Sequence, residues 1–401
     1  MIQPNITRRN WFMSAGLLTS AGMAAAGAAA PTEKYPRNLT KEDVDRWMTE
    51  LSNWGKWGKD DQAGTINLIT PAKRKAAAAL VKEGVSVSAS LDADLPKEGS
   101  TGVPLGGGGG PRGGAPGQAG QGAPPAAGAP PAGGAPPPAD NPQGGGRGPE
   151  GRGGRGGGPF VERPTWSLAS RPPGPNPRPL AAYVTDTISV SYHGNNTTHL
   201  DSLAHLYING QIYNGFPQTS YTDRGAGKND VMPFKNGIFT RGVLFDIPKL
   251  KGVPYLGDDE PIYPEDLEAW EKKAGFRVET GDAMLVRTGR WLRVKEKGPL
   301  NLNVATPGLY ASCCKWMRER GVAILGSDVV QDVRPSRIEG INQPIHQIGI
   351  RAMGLPLIDN CILEELGEAA AKRRRWTFLL TINPLRVPGA TGGPVNPIAT
   401  F

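Results

Sequence analysis

The sequence predicts a mixed α/β fold, and three observations carry that expectation. Beyond Gly242 the chain alternates short apolar runs with helix-period segments, the pattern of strands and helices taking turns. The helical segments carry their own start and stop residues. The stretches with neither period are low in complexity and fall outside the folded part.

The elements follow in chain order. Thr40 is placed to cap a helix, with Asp43 at the capping-box position and Val44, Trp47, Met48 and Leu51 at helical spacing. The segment from Asn53 to Gly58 reads as a turn-rich loop. Thr70 caps a second helix with Pro71 at its first position and Gly84 at its end. Val85 to Leu91 alternates as a strand does, and so does Tyr183 to Tyr192. Strands are expected at Gly242 to Ile247, Asp282 to Thr288, Val322 to Leu325 and Trp376 to Ile382. Helices are expected at Tyr263 to Lys273, Leu309 to Arg320 and Leu363 to Arg374. The last has Glu364, Glu365 and Glu368 early and Lys372, Arg373 and Arg374 late, which matches the helix dipole.

Two segments of the 401 residues are not expected to fold. Arg8-Arg9 and the modestly apolar run that follows, ending in Ala28-Ala29-Ala30, read as a twin-arginine export signal. That run is short and too rich in Gly and Ala for a stable membrane span. The stretch 102–160 is almost entirely Gly, Pro, Ala and a few Arg; it cannot offset its chain entropy by burial and reads as a disordered insert. Its Arg147, Arg152 and Arg155 resemble an RNA-binding repeat only in composition, and Gly106 to Gly110 lacks the lysine of a phosphate loop. The expected organisation is a signal at 1–30, a first part of the domain at 31–101, the insert at 102–160 and the main part at 161–401.

The formal charge of +8 is carried partly by these two segments, and no basic stripe with interleaved aromatics implies nucleic acid. Cys313, Cys314 and Cys361 are three, two of them adjacent, so no disulfide framework is expected even in an oxidising compartment. They read as small core residues.

The chemistry is concentrated in one place. The chain has four histidines, and His193, His199 and His205 fall within thirteen residues, with Asp201 among them. An extended backbone points His199 and Asp201 to one side, and a helix beginning there would stack His205 over Asp201. The three would converge as metal ligands with an open position, or two would bind metal while one histidine stays free as general base. Ordinary hydrogen-bonded histidines are the bland alternative. No Gly-x-Ser-x-Gly elbow competes as a nucleophile.

Thr198-His199-Leu200-Asp201, with His205 six residues after His199, resembles the His-x-Gly-Thr-His-x-Asp-x-Pro-x-His signature of the metal-dependent cyclase family, which includes kynurenine formamidases and isatin hydrolases. Trp54 to Asn67, Arg287-Thr288-Gly289, and His346-Gln347 through Asp359-Asn360 are similar to further segments of that family, in the same order. The resemblance covers nearly all of 38–401 except the insert. It implies a swivelling β/β/α fold and metal-dependent hydrolysis of a formyl or cyclic amide or a lactone. It implies His199 and Asp201 as ligands of a divalent ion, zinc or manganese, with His346 and Asp359 completing the site and His205 as general acid or base. Asp359 stands where the family has Glu.

The first signature His falls on Asn195 here, and His193 is the candidate replacement; Leu203 stands at the signature Pro. Asp328 and Asp332 resemble the family's loop near the site and read equally as structural hydrogen-bond acceptors, and Trp54 and Trp57 are candidate walls for an aromatic substrate or else packing anchors. The expected partners are a small molecule and further copies of the chain, as dimer or tetramer, and the expected location is the periplasm. The alternative function is a non-catalytic small-molecule-binding protein that keeps the fold.

Overall fold

The structure is a computed structural model that describes residues 34–92, 165–170 and 184–401. The segments read from the sequence as an export signal, 1–30, and as an insert, 102–160, lie outside the described residues.

A nine-stranded mixed sheet organises the molecule. Its centre is four parallel strands in the order Ile238–Asp246, Ala283–Arg287, Ile324–Ser327 and Leu357–Asp359. These are near-continuous apolar runs with buried side chains, as strands covered on both faces require. Antiparallel strands flank them. Thr377–Ile382, Ile398–Thr400 and Ser86–Ser88 extend one side, and His199–Asp201 and Gly392–Pro394 extend the other. Ser86–Ser88, from before the insert, thus pairs with the extreme C-terminus.

The helices follow local rules. Thr40 and Asp43 form the capping box of Lys41–Glu50, and Gly275 and Gly321 close Pro264–Ala274 and Ser312–Arg320 in the left-handed conformation only glycine adopts freely. Several elements are shorter than the sequence predicts. The helix capped by Thr70 is Pro71–Ala78 rather than reaching Gly84, because Glu83 and Gly84 turn to donate to the Phe401 carbonyl. The strand expected over Val85 to Leu91 is only Ser86–Ser88. Leu309 does not begin a helix: Gly308–Leu309 pairs with Pro261–Ile262, and the helix starts at Ser312. Cys313 and Cys314 are buried on that helix, Cys361 is buried in a loop, and all three are free.

Arg290–Lys297 and the turn Pro344–Met353, whose last seven residues form a π-helix, were not anticipated. Gly354 ends the latter at φ 65°; a Cβ there would lie 2.4 Å from the Tyr213 ring.

Candidate metal centre

His199 and Asp201 occupy a three-residue buried strand, two positions apart and on one face. His199 Nε2 lies 3.5 Å from Asp201 Oδ1. Asp359 is directly opposite His199 on the antiparallel neighbour, so its carboxylate faces the same space. On the other flank Gly392 is opposite Asp201, and a Cβ at Gly392 would meet the Leu200 carbonyl at 2.1 Å and His193 Cε1 at 3.2 Å. Only glycine lets that strand approach so closely.

No helix follows Asp201. The chain makes a turn in which His205 N donates to the Ser202 carbonyl, and Leu203 sits buried within it. The expected convergence survives by this different route: His205 Nε2 is 3.7 Å from Asp201 Oδ2. A turn and a helical repeat both return residue i+4 toward residue i, which is why the spacing pointed correctly for the wrong reason.

His193 also enters the site, although Asn195 occupies the signature position. Its Nδ1 is 2.9 Å from Asp201 Oδ1, its Nε2 is 2.9 Å from the Thr391 hydroxyl, and its ring stacks on His205 at 4.1 Å. Remote His346 arrives through the loop after Ile324–Ser327. Its Nδ1 bonds Asp332 at 2.6 Å, leaving Nε2 3.9 Å from Asp201 Oδ2 and 4.0 Å from Asp359 Oδ2.

All six site residues read from the sequence, His193, His199, Asp201, His205, His346 and Asp359, are therefore within one cluster. Two sets of ligand atoms, His193 with His199 and Asp201, and Asp201 with His346 and Asp359, each lie within 4.8 Å of one another.

The donor chemistry fits a cation. His199 Nδ1 bonds the Thr197 carbonyl at 2.8 Å, which puts its proton there and leaves the Nε2 lone pair aimed at a carboxylate oxygen. Two acceptors facing each other at that range repel unless a positive charge lies between them. Both oxygens of Asp201 and Oδ1 of Asp359 are buried with no donor in hydrogen-bonding geometry. Buried carboxylates without partners are strongly disfavoured, so the arrangement suits a divalent ion held by imidazole and carboxylate.

The titration behaviour agrees. Burial pushes Asp201 up, but the imidazoles of His205, His193 and His199 outweigh it and hold the carboxyl well below its usual range. Burial, with the Asp201 charge nearby, raises Asp359 to about 6. Burial lowers His205 to about 4, against the pull of Asp201, so its imidazole is a neutral base at pH 7. Burial opposes protonation of His346, yet the Asp332 hydrogen bond and the facing carboxylates raise it to about 9.

Several supporting residues escaped the sequence reading. Asn360, at φ 57°, donates through Nδ2 to the Gly194 and Thr197 carbonyls, and its Oδ1 accepts from Arg290 Nη1. Arg290 Nη2 donates to the Asn195 carbonyl at 2.8 Å. Together they hold the loop that carries His193 and leads into His199. Their only sequence signal was adjacency to recognisable segments, Arg290 after Arg287-Thr288-Gly289 and Asn360 after Asp359.

Of the two nearby aspartates, Asp332 orients His346, the arrangement of a carboxylate behind a ligating imidazole. Asp328 instead accepts from Thr288 N and Oγ1 and from Gly289 N, tying the end of one central strand to its neighbour. Trp54 is a packing anchor. Its Nε1 donates to the Arg351 carbonyl, and the Arg351 guanidinium lies 4.6 Å over its ring. The half-buried aromatic beside the cluster is Tyr192, with its ring 4.6 Å from His193 and 6.2 Å from His199.

Residues 158–331 match the family model of putative cyclases. A solved structure described as a novel cyclase superposes with a TM-score of 0.66 at 25% identity, covering 88% of this chain and 98% of that one. This likeness assigns the chain the cyclase-like fold. Isatin hydrolase A from Ralstonia solanacearum aligns at 20% identity and TM-score 0.42, covering 59% of this chain and 81% of its own. Isatin hydrolase A from Labrenzia aggregata, bound to benzyl benzoate, aligns at 18% and 0.42, covering 60% and 85%. No curated protein matches.

Proposed function

We propose that this protein is a metal-dependent hydrolase of a formyl amide, a cyclic amide or a lactone. The observation that carries the reading is the pairing of buried, donor-less carboxylates with lone-pair imidazoles, next to one histidine left free to move a proton. The match to the putative cyclase family supports it, and the bond class rests on the sequence resemblance.

His199 and Asp201 are the central ligands, with His346, Asp359 and His193 disposed to complete the set. Zinc or manganese suits these nitrogen and oxygen donors, and when bound supplies Lewis acidity that acidifies water and polarises a carbonyl. His205, neutral at pH 7, takes the proton of the attacking water and returns it to the leaving nitrogen or oxygen. Asp332 keeps the His346 ring oriented, and Thr391 does the same for His193. Tyr192 offers a flat surface to an aromatic substrate.

The twin-arginine pattern supports a periplasmic location, and because that route carries proteins already folded, a metal can be loaded before export. The family resemblance supports a dimer or tetramer.

Metal content of the purified protein, with hydrolysis assays on formanilides, isatin and lactones, tests the reading. His199→Ala should lose metal and turnover together, whereas His205→Ala should retain metal and lose turnover by about 10²–10⁴-fold, the usual contribution of a general acid–base group. A protein without metal or turnover would be the non-catalytic binder instead.

A further inference from the structure

The short helical turn that carries His346 is held at both ends, and its two anchors come from different parts of the chain. At its start Asp332 accepts from Ile345 N at 2.6 Å and is bonded to the His346 ring. Its far end is the π-helix Gln347–Met353, closed by Gly354. The last carbonyls of a helix have no partner within it and must find donors elsewhere.

Here four successive carbonyls find theirs in one remote segment. Trp54 Nε1 donates to Arg351 at 2.7 Å, Asn53 N to Ala352 at 3.0 Å and Asn53 Nδ2 to Met353 at 2.7 Å. Thr65 N donates to the Gly354 carbonyl at 2.8 Å. Residues 53–65 therefore supply the cap that local sequence gives most helices, although Asn53 and Met353 are 300 residues apart. A π-helical turn is rare, and this one keeps its shape with bonds from outside itself.

The segment is in turn anchored on the chain that leaves His205. Gly55 N donates to Asn214 Oδ1 at 2.8 Å, and Asn214 Nδ2 donates back to the Gly58 and Asp61 carbonyls. The Tyr213 hydroxyl donates to Asp61 Oδ2 at 3.1 Å. From the turn itself, Arg351 Nη2 donates to Gln211 Oε1 at 3.1 Å.

We infer that residues 53–65 are a positioning strap, which sets the His346 imidazole against the other ligands by fixing the far end of its turn. Trp54 and Asn53 act on the turn directly, and Asn214 holds the strap in place. The inference rests on the reading of His346 as a metal ligand. With the strap's donors removed, the turn loses its cap and the His346 ring can pivot about Asp332.

Zinc and manganese affinities of the full-length protein, measured by chelator competition at pH 7.5, test the inference. Trp54→Phe removes the donor to Arg351 and keeps a ring in place. Trp270→Phe is the matched control. Trp270 Nε1 likewise donates to a backbone carbonyl, that of Leu244 at 2.8 Å, on a strand that carries no ligand. Trp270 is fully buried and Trp54 only half-buried, so a mere loss of packing should tell more in the control. Trp54→Phe should weaken metal binding by about tenfold, the low end of what partners behind a ligand cost, while Trp270→Phe leaves it unchanged. Asn214→Gly keeps the left-handed backbone at φ 61° but drops the side chain's bonds to the strap. It should weaken metal binding by about threefold or more. Wild-type affinity in either strap variant overturns the inference, and so does an equal loss in Trp270→Phe. Metal bound without turnover on any substrate sinks the hydrolase reading alone and leaves this comparison in force. A wild-type protein that binds neither metal overturns both.

Discussion

Asp328 and Asp201 are both fully buried aspartates in the same sheet, one just past a central strand and one near its edge, and they are solvated in opposite ways. Asp328 is surrounded by donors supplied by the chain, three of them from Thr288 and Gly289. Asp201 has imidazoles around it but no hydrogen bond that satisfies either oxygen. A buried carboxylate completed by backbone N–H groups is a structural joint. One left incomplete among lone pairs is a place for a cation. Burial alone does not separate the two; the identity of the neighbouring atoms does.

Substituting both residues should break this comparison most forcefully. Asp328→Asn puts an amide N–H₂ against N–H donors and should cost roughly 3 kcal/mol, the scale of disrupting a buried charged network, with or without metal. Asp201→Asn should abolish metal binding and turnover, and its denaturation midpoint should no longer respond to a chelator, while the wild-type midpoint falls when metal is removed. Denaturant unfolding with and without chelator measures both. An Asp328→Asn protein as stable as wild type, or a chelator-sensitive Asp201→Asn protein, would erase the distinction.

A smaller effect concerns protons. His346 is raised to about 9 in the metal-free protein, so at pH 7.5 its imidazole must lose a proton before Nε2 can act as a ligand. Metal uptake at that pH should release about one proton from this group, read by calorimetry in buffers of different ionisation enthalpy. His346→Gln should remove that release.

The smallest effect is a slope. Asp359 titrates at about 6 in the fold, against roughly 3.9 when unfolded. Between those values the metal-free native state binds more protons than the unfolded state, so stability is highest below the window and declines as pH rises through it. The decline is at most ~1.4 kcal/mol per pH unit, and Asp359→Asn should flatten it. A metal-free protein whose stability rises with pH across this window in the wild type, but not in the variant, would reverse the assignment.

What was legible from residues alone was local. Thr40 with Asp43, Gly275 and Gly321 mark helix ends because a cap or a left-handed turn depends only on immediate neighbours. The two-residue period of a strand put His199 and Asp201 on one face for the same reason. His346 and Asp359 lie far along the chain, and resemblance to a family, not spacing, pointed to them. Local rules misjudged the turn after Asp201 and the strand at Gly308–Leu309, where pairing with distant segments decided the backbone.

By itself, then, the sequence determined the α/β class, the helix ends marked by Thr40, Gly275 and Gly321, and the concentration of ligand-type residues around Asp201. Only the tertiary structure decided that His193 stands beside Asp201 in spite of Asn195, that Asp332 orients His346 while Asp328 does not, and that Arg290 and Asn360 hold the histidine loop. Propensities and caps are properties of a few adjacent residues. Which donor reaches which buried oxygen depends on how strands distant in sequence come to lie side by side.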